Sequence, residues 1–135
     1  MRIEDLTAEA FLDSLFGSGS PVTWYLGIIL AAPADDGTGY TEPSTGSYAR
    51  ISKTNNSTNF PACVANSRTK LLNTLTTFPT ASAAWGTATG VGFFTVSPYG
   101  TGVCKFYCPF PDGPRAINSG NTPDFAVDAI QIVVI

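Results

Sequence analysis

Few groups in this chain could do chemistry, and their types limit what it can be. It contains no histidine. That removes Ser-His-Asp and Cys-His catalysis, imidazole metal sites and the usual switch near neutral pH. Serine and threonine are abundant, but no imidazole stands ready to activate them as nucleophiles. Glycoside hydrolysis needs two carboxyls about 5–10 Å apart in a cleft. Four of the ten carboxylates (Glu4, Asp5, Glu9, Asp13) crowd the first segment, and no pair stands out. Asp35-Asp36-Gly37 with Glu42 offers hard oxygens for calcium, but not at the spacing of a helix–loop–helix calcium loop. A solvated turn is expected there, with a metal as the alternative. The reading is therefore a protein that is not an enzyme and needs no cofactor.

The three cysteines are Cys63, Cys104 and Cys108. On a strand, Cys104 and Cys108 share a face but lie about 13 Å apart, too far to bridge. Without histidine, a zinc site would need a carboxylate as its fourth ligand. Free, partly buried thiols are expected; the alternatives are a disulfide involving Cys63 or a metal. Tyr48-Ala49-Arg50 puts an aromatic and a guanidinium on one strand face. Arg50 either pairs with a carboxylate such as Glu42 or Asp36 and ties the turn to the strand, or meets a neighbouring subunit as a common interface anchor. Trp85-Gly86 reads as a core slot, with an interface or glycan platform as the alternative. The pattern Asn55-Asn56-Ser57-Thr58 matches glycosylation acceptors and is taken as chance.

These groups must be carried by a small chain of 135 residues, one domain's worth. Folding at that size buries roughly two thirds of the unfolded surface, enough for a real core. Only 13% of residues are charged, and 17 Thr, 11 Ser, 13 Gly and 10 Pro fill the deficit. That composition excludes a coiled coil or helix bundle and suits an all-β domain with many turns. The net charge is −3 and the basic residues are scattered, so nucleic-acid binding is not expected. No stretch reaches the roughly 18 apolar residues of a membrane span, and the acidic N-terminus lacks the apolar core of a secretory signal. Use without export, and no membrane partner, are the expectations.

Residues 1–20 are read as a helix and flexible joint, and 21–135 as a β-sandwich domain. Leu12, Leu15 and Phe16 give a helical stripe after a Thr7 N-cap, and Gly17-Ser18-Gly19-Ser20-Pro21 ends it. The helix either packs on its own domain or docks as an arm on a neighbour. Strands are expected at 22–30, 47–53, 90–97, 103–110 and 129–135. Residues 54–61 form a loop, and 62–77 is ambiguous, with Thr and Asn favouring strand. Trp24 and Tyr25 point to opposite faces, one into the core and the other available to the helix. About seven strands at this spacing point to a single-domain sandwich or jelly roll.

The ordered string of motifs carries a resemblance. Thr23-Trp24-Tyr25-Leu26-Gly27 precedes Ala31-Ala32-Pro33 and Asp35-Asp36-Gly37-Thr38-Gly39-Tyr40-Thr41-Glu42, which leads into Tyr48-Ala49-Arg50. Phe78-Pro79-Thr80-Ala81 and Trp85-Gly86-Thr87-Ala88-Thr89-Gly90-Val91-Gly92-Phe93-Phe94 follow. Over roughly residues 6–135 this resembles a family of small tailed-bacteriophage virion proteins, often labelled tail fibre proteins, whose look is shared by capsid decoration proteins. The sequence departs from that family in a longer 54–77 link carrying Cys63 and in a Pro- and Cys-rich stretch at 98–114. The resemblance implies a virion structural protein on the capsid surface, assembled in the host cytoplasm. It would cement the head as a homotrimer bound across the major capsid protein, with Leu12, Leu15, Phe16, Tyr48 and Arg50 at the subunit and capsid interface. The alternatives are a tail or tail-fibre component in host attachment, or a carbohydrate-binding module stacking sugars on Tyr99, Phe106 or Tyr107.

Overall fold

β-Branched and aromatic side chains run from Thr23 to Ile29 with Gly27 as the one small residue, and this segment is the longest strand, β1 (Thr23–Ile29). The structure, a computed structural model, describes residues 4–65 and 67–133. It is all-β with one short N-terminal helix, α1 (Asp5–Leu15). The remaining strands are β2 (Ile51–Thr54), β3 (Thr69–Leu71), β4 (Thr76–Thr77), β5 (Gly86–Ala88), β6 (Gly90–Phe94), β7 (Phe106–Pro109), β8 (Arg115–Ile117), β9 (Asp124–Phe125) and β10 (Gln131–Val133). The main sheet has the order β2-β1-β6-β7, and β10-β3, β4-β9 and β5-β8 form two-stranded ribbons. The chain folds as two compact units: Met1–Thr23, Lys53–Leu75 and Phe125–Ile135 in one, Trp24–Ser52 and Thr76–Asp124 in the other. The helix thus belongs to a unit built from three separate stretches of chain.

In the second unit, β1 pairs antiparallel with β6, so that Gly27 faces Gly92 and Leu26 faces Phe93. Both strands are almost wholly buried, which explains their continuous apolar runs. Trp24 is in the core, edge-on to Phe93 and Phe106. Tyr25 lies on the other face, against the cluster of Ile29, Phe94 and Cys104. Gly92 leaves the space its side chain would fill to its neighbours: a Cβ there would lie 2.9 Å from Cys104 Sγ. Cys104 precedes β7, so it and Cys108 do not share one strand. All three thiols are free. Burial pushes Cys63 and Cys104 up to about 11 and Cys108 up to about 12, so few are thiolates at neutral pH.

In the first unit, α1 starts one turn earlier than its sequence suggests. Glu4, not Thr7, is the N-cap, and it makes no side-chain cap bond. The buried stripe is Ala8, Leu12 and Phe16, at i, i+4 and i+8. Phe16 caps the C-terminus and its ring packs on Phe60. Gly17 follows with φ +90°, a left-handed conformation, and a Cβ there would meet Phe60 O at 2.5 Å. Buried Asn55 ties this corner: its Oδ1 accepts from Gly17 N–H at 2.5 Å, and its Nδ2 donates to Leu15 O and Pro21 O at 2.9 and 2.8 Å. On the ribbon, Lys70 of β3 is fully buried and pairs with Asp13 of α1 at 2.6 Å. Burial works against ionised Asp13. The hydrogen bonds from Lys70 and from Cys63 N–H outweigh it and hold the carboxyl below its usual value.

Two outcomes follow for the first unit. Asn55→Ala takes a hydrogen-bond partner from three backbone groups at once. Since an unmet buried polar group costs about 1–3 kcal/mol, urea unfolding should show a loss of at least about 2 kcal/mol; a loss under half that would show that water replaces the side chain. Asp13, depressed in the folded chain, contributes stability that is complete above its ordinary value of 3.8 and fades as pH falls through its folded value. An Asp13→Asn variant should therefore show a flatter loss of stability below about pH 4 than the parent does, followed by thermal melts across the acid range.

Candidate functional site

The Glu42–Arg50 pair lies in the second unit, and the strand β1 decides its position. Because Gly27 has no side chain, Glu42 and Tyr48 can lie against the β1 backbone; a Cβ there would run into Glu42 Oε1 and come within 2.9 Å of the Tyr48 hydroxyl. That hydroxyl accepts from Ile28 N–H at 2.8 Å and donates to Glu42 Oε1 at 2.7 Å. Glu42 is brought alongside by a bridge between Ala31 and Thr41, with Leu30 N–H donating to Thr41 O at 2.8 Å. Asp36 is part of the turn before it: its carboxylate accepts from Thr38 N–H and Oγ1 and so lies below its ordinary pKa. The acidic turn is held by its own hydrogen bonds, and Glu42 is engaged elsewhere.

Arg50 supplies the other half. Its Nε and Nη2 donate to the two oxygens of Glu42 at 3.0 and 2.7 Å, a bidentate fork. The side chains are 0% and 1% exposed. Nη1 donates to Val96 O at 2.8 Å and Nη2 to Thr101 O at 2.9 Å. The guanidinium carbon lies 3.5 Å from the Phe94 ring centroid, a cation–π contact. Burial disfavours the charge on Arg50, but the hydrogen bonds to Glu42 outweigh it and the pKa is raised. Burial, with the Glu42 carboxylate beside it, pushes the Tyr48 phenol far above its usual value. Gly100 N–H completes the set, donating to Glu42 Oε2 at 2.8 Å. Each carboxylate oxygen thus accepts two hydrogen bonds, which uses its normal capacity. Together the two charges balance, and their hydrogen bonds tie Tyr48, Val96, Gly100 and Thr101 to one point.

Of the five residues expected at an interface, four lie in the chain's own interior. Leu12 and Phe16 are buried in the first unit, Tyr48 and Arg50 in the second, and Leu15 is half-buried. Tyr48 and Arg50 also precede β2 instead of lying on it. The reason is energetic: a guanidinium with a carboxylate, two carbonyls and an aromatic face around it is satisfied locally. Trp85 fills a core slot, edge-on to Tyr48, with its Nε1–H donating to Gly46 O at 2.9 Å. Among the aromatics considered for sugar stacking, Phe106 packs edge-on against Trp24 and half-buried Tyr107 donates to Thr89 Oγ1. Tyr99 alone of the three is exposed, at 43%.

Beside the pair lies an open cleft of about 400 Å³, lined by Tyr40, Thr41, Glu42, Ser44, Tyr99 and Gly100 among others. Tyr40 donates its hydroxyl to the carbonyls of Thr101 and Gly102, which fixes one wall. Tyr99 also lines the cleft. It stands edge-on to Tyr48 at 5.7 Å and reaches Ser44 O at 3.4 Å. The carbonyls of Val96 and Thr101 and the amide of Gly100 are invisible to side-chain reasoning; the pairing of Glu42 with Arg50 was legible from charge and proximity.

A charge-pair cycle tests this geometry. Breaking a buried ion pair costs about 3–5 kcal/mol because it leaves an uncompensated charge. Glu42→Gln and Arg50→Met should each lose about that much in urea unfolding, and the double variant much less than their sum. Additive losses would mean that the two groups do not depend on each other.

The comparisons with known proteins agree with the motif string. Neither curated proteins nor solved structures give a significant match. The family model described as podophage GP4 fiber I protein gp80 matches residues 2–133, so it takes in both units and every motif assembled around the Glu42–Arg50 pair. The chain belongs to that phage fibre protein family and is a structural component of a bacteriophage virion.

Proposed function

We propose that the protein is a non-enzymatic subunit of a podophage fibre, and that it works by adhesion over area to copies of itself and to a neighbouring virion protein. The family match over both units supports the fibre reading. The distribution of apolar surface supports adhesion. Seven of the ten large apolar side chains that are exposed among the described residues lie in the first unit. Leu6, Val22 and Val64 are the most open, at 79%, 74% and 69%. Solvent-facing surfaces normally carry more charge than the 13% of this chain, and exposed apolar side chains are material for protein contacts. In the second unit Glu42 and Arg50 are turned inward and hold its own structure together, while Asp35, Asp36, Lys105, Asp112, Arg115 and Asp124 stay exposed.

Two measurements test the proposal. Antibody labelling of virions should mark fibres or the tail; labelling of the head shell would move the subunit to the capsid surface as a decoration protein and overturn the fibre assignment. In solution the purified chain should run as a multiple of its 14.2 kDa mass by light scattering, a homotrimer being the form expected. A paired Leu6→Asp and Val64→Asp variant should dissociate to the single-chain mass with an unchanged circular dichroism spectrum. A parent chain that is already monomeric at all concentrations would remove self-association from the mechanism.

A further inference from the structure

We propose that Lys70 and Asp13 join in an amide bond, formed by the folded chain itself, that ties helix α1 to strand β3. The inference stands apart from where the subunit sits in the virion, since every residue it uses lies in the first unit. The two groups are already in contact: Lys70 Nζ lies 2.6 Å from Asp13 Oδ1, across 57 positions of sequence. Glu9 is the third member. It stands one turn before Asp13 on the same helix face, and its Oε1 is buried with no hydrogen-bond partner among the described residues. Cys63 lies among the three, since its thiol feels the charges of Asp13, Lys70 and Glu9.

The surroundings of Lys70 favour an amide over an ion. Lysine is rarely buried to this degree, yet Lys70 is 1% exposed and sits across the ribbon from buried Ile132. An ammonium has three protons to donate. Among the described residues it meets one acceptor, Asp13 Oδ1. A charge left this short of partners in an apolar interior is costly, and condensation removes the charge altogether. Asp13 meets the opposite need: its side chain is 41% exposed, so the water released has a way out. All three thiols are free. A cross-link over 57 positions would restrict the unfolded chain as a disulfide does.

The step balances without a co-reactant. A proton passes from Nζ to the carboxylate within the contact, which makes a neutral amine and a neutral acid. The Nζ lone pair then attacks Cγ, and a C–N bond forms. The charge that builds on Oδ1 is met by Cys63 N–H, already donating to it at 3.1 Å. Nζ gives up a proton to Glu9, Glu9 passes it to Asp13 Oδ2, and the Cγ–Oδ2 bond breaks to release water. An ammonium and a carboxylate thus become an amide and one water. Burial works against ionised Asp13, but its hydrogen bonds outweigh that, so the neutral pair is the minor form and the bond closes slowly.

Intact-mass spectrometry of the whole folded chain, fresh and after days of incubation, tests this. A species lighter by one water should be present or grow in, with a tandem spectrum that joins the peptides holding Asp13 and Lys70. Asp13→Ala should keep its full mass. Glu9→Gln should slow the loss by about a hundredfold or more, the usual contribution of a positioned proton carrier, with an unchanged circular dichroism spectrum. The acid-range melts of the parent against Asp13→Asn belong to chains taken before the bond closes; in linked chains Asp13 has no carboxyl left to titrate. A folded parent that stays at full mass, or a water lost between other residues, would overturn the proposal. A Glu9→Gln variant that closes as fast as the parent would take Glu9 out of it.

Discussion

The interior of the second unit is organised by one buried ion pair. Glu42 and Arg50 are removed from water almost completely, and desolvating two charges costs several kcal/mol per ion before any attraction is counted. Such a pair survives only with near-ideal geometry and with its remaining hydrogen-bonding positions filled. Here that condition reaches far along the chain. It requires a glycine at position 27, a tyrosine at 48 whose hydroxyl also meets the β1 backbone, carbonyls from Val96 and Thr101, and an amide from Gly100. Segments around residues 27, 42, 50 and 100 are thereby held in a single mutual arrangement. A hydrophobic replacement of equal volume could be as stable. It would not specify where four segments must meet.

The first unit solves a similar problem with a neutral amide and a half-open ion pair. Its helix ends at Phe16, and the chain must turn back through Gly17. Helix ends leave carbonyls and amides without partners, and Asn55 supplies both donor and acceptor from a distant stretch of chain. Lys70 buries its stem within the ribbon and reaches Asp13, where partial exposure lowers the desolvation cost. The two units thus differ in kind: one is centred on a sealed charge pair, the other on an apolar helix stripe with polar groups closing its rim.

Much of this was legible in the residues. The continuous apolar run at 23–29 gave β1, and the run at 90–94 gave β6, because strands buried on both faces need no alternation. Glu42 was among the partners weighed for Arg50. The core slot of Trp85 was legible, and Trp24 was one of two candidates for the core, with Tyr25 the other. Other features were not legible. Thr7 looked like a cap because threonine is a good one, but tertiary packing of Ala8, Leu12 and Phe16 set the helix register and moved the start to Glu4. For the helix stripe and for Arg50 a neighbour-facing role was weighed against an internal one, and residue type does not distinguish an interface anchor from a core anchor. Backbone carbonyls decided the matter for Arg50, and every residue carries one. The interleaving of the units was hidden for a similar reason: 53–75 and 125–133 join the helix through contacts far apart in sequence.

The motif string acquires a physical meaning from this arrangement. Glu42 closes the segment after the acidic turn, Tyr48 and Arg50 form the next motif, and Trp85 opens the last. In the fold these are neighbours: Tyr48 bonds to Glu42, lies edge-on to Trp85 and edge-on to Tyr99. A sequence that keeps all of them keeps one interlocked set, and losing one member leaves the others short of a partner. The only aromatic of this set that reaches solvent is Tyr99. Its orientation is set from beneath by the same tyrosine that serves the ion pair. The rigidity gained by sealing two charges is passed, through Tyr48, to the outer face of the unit.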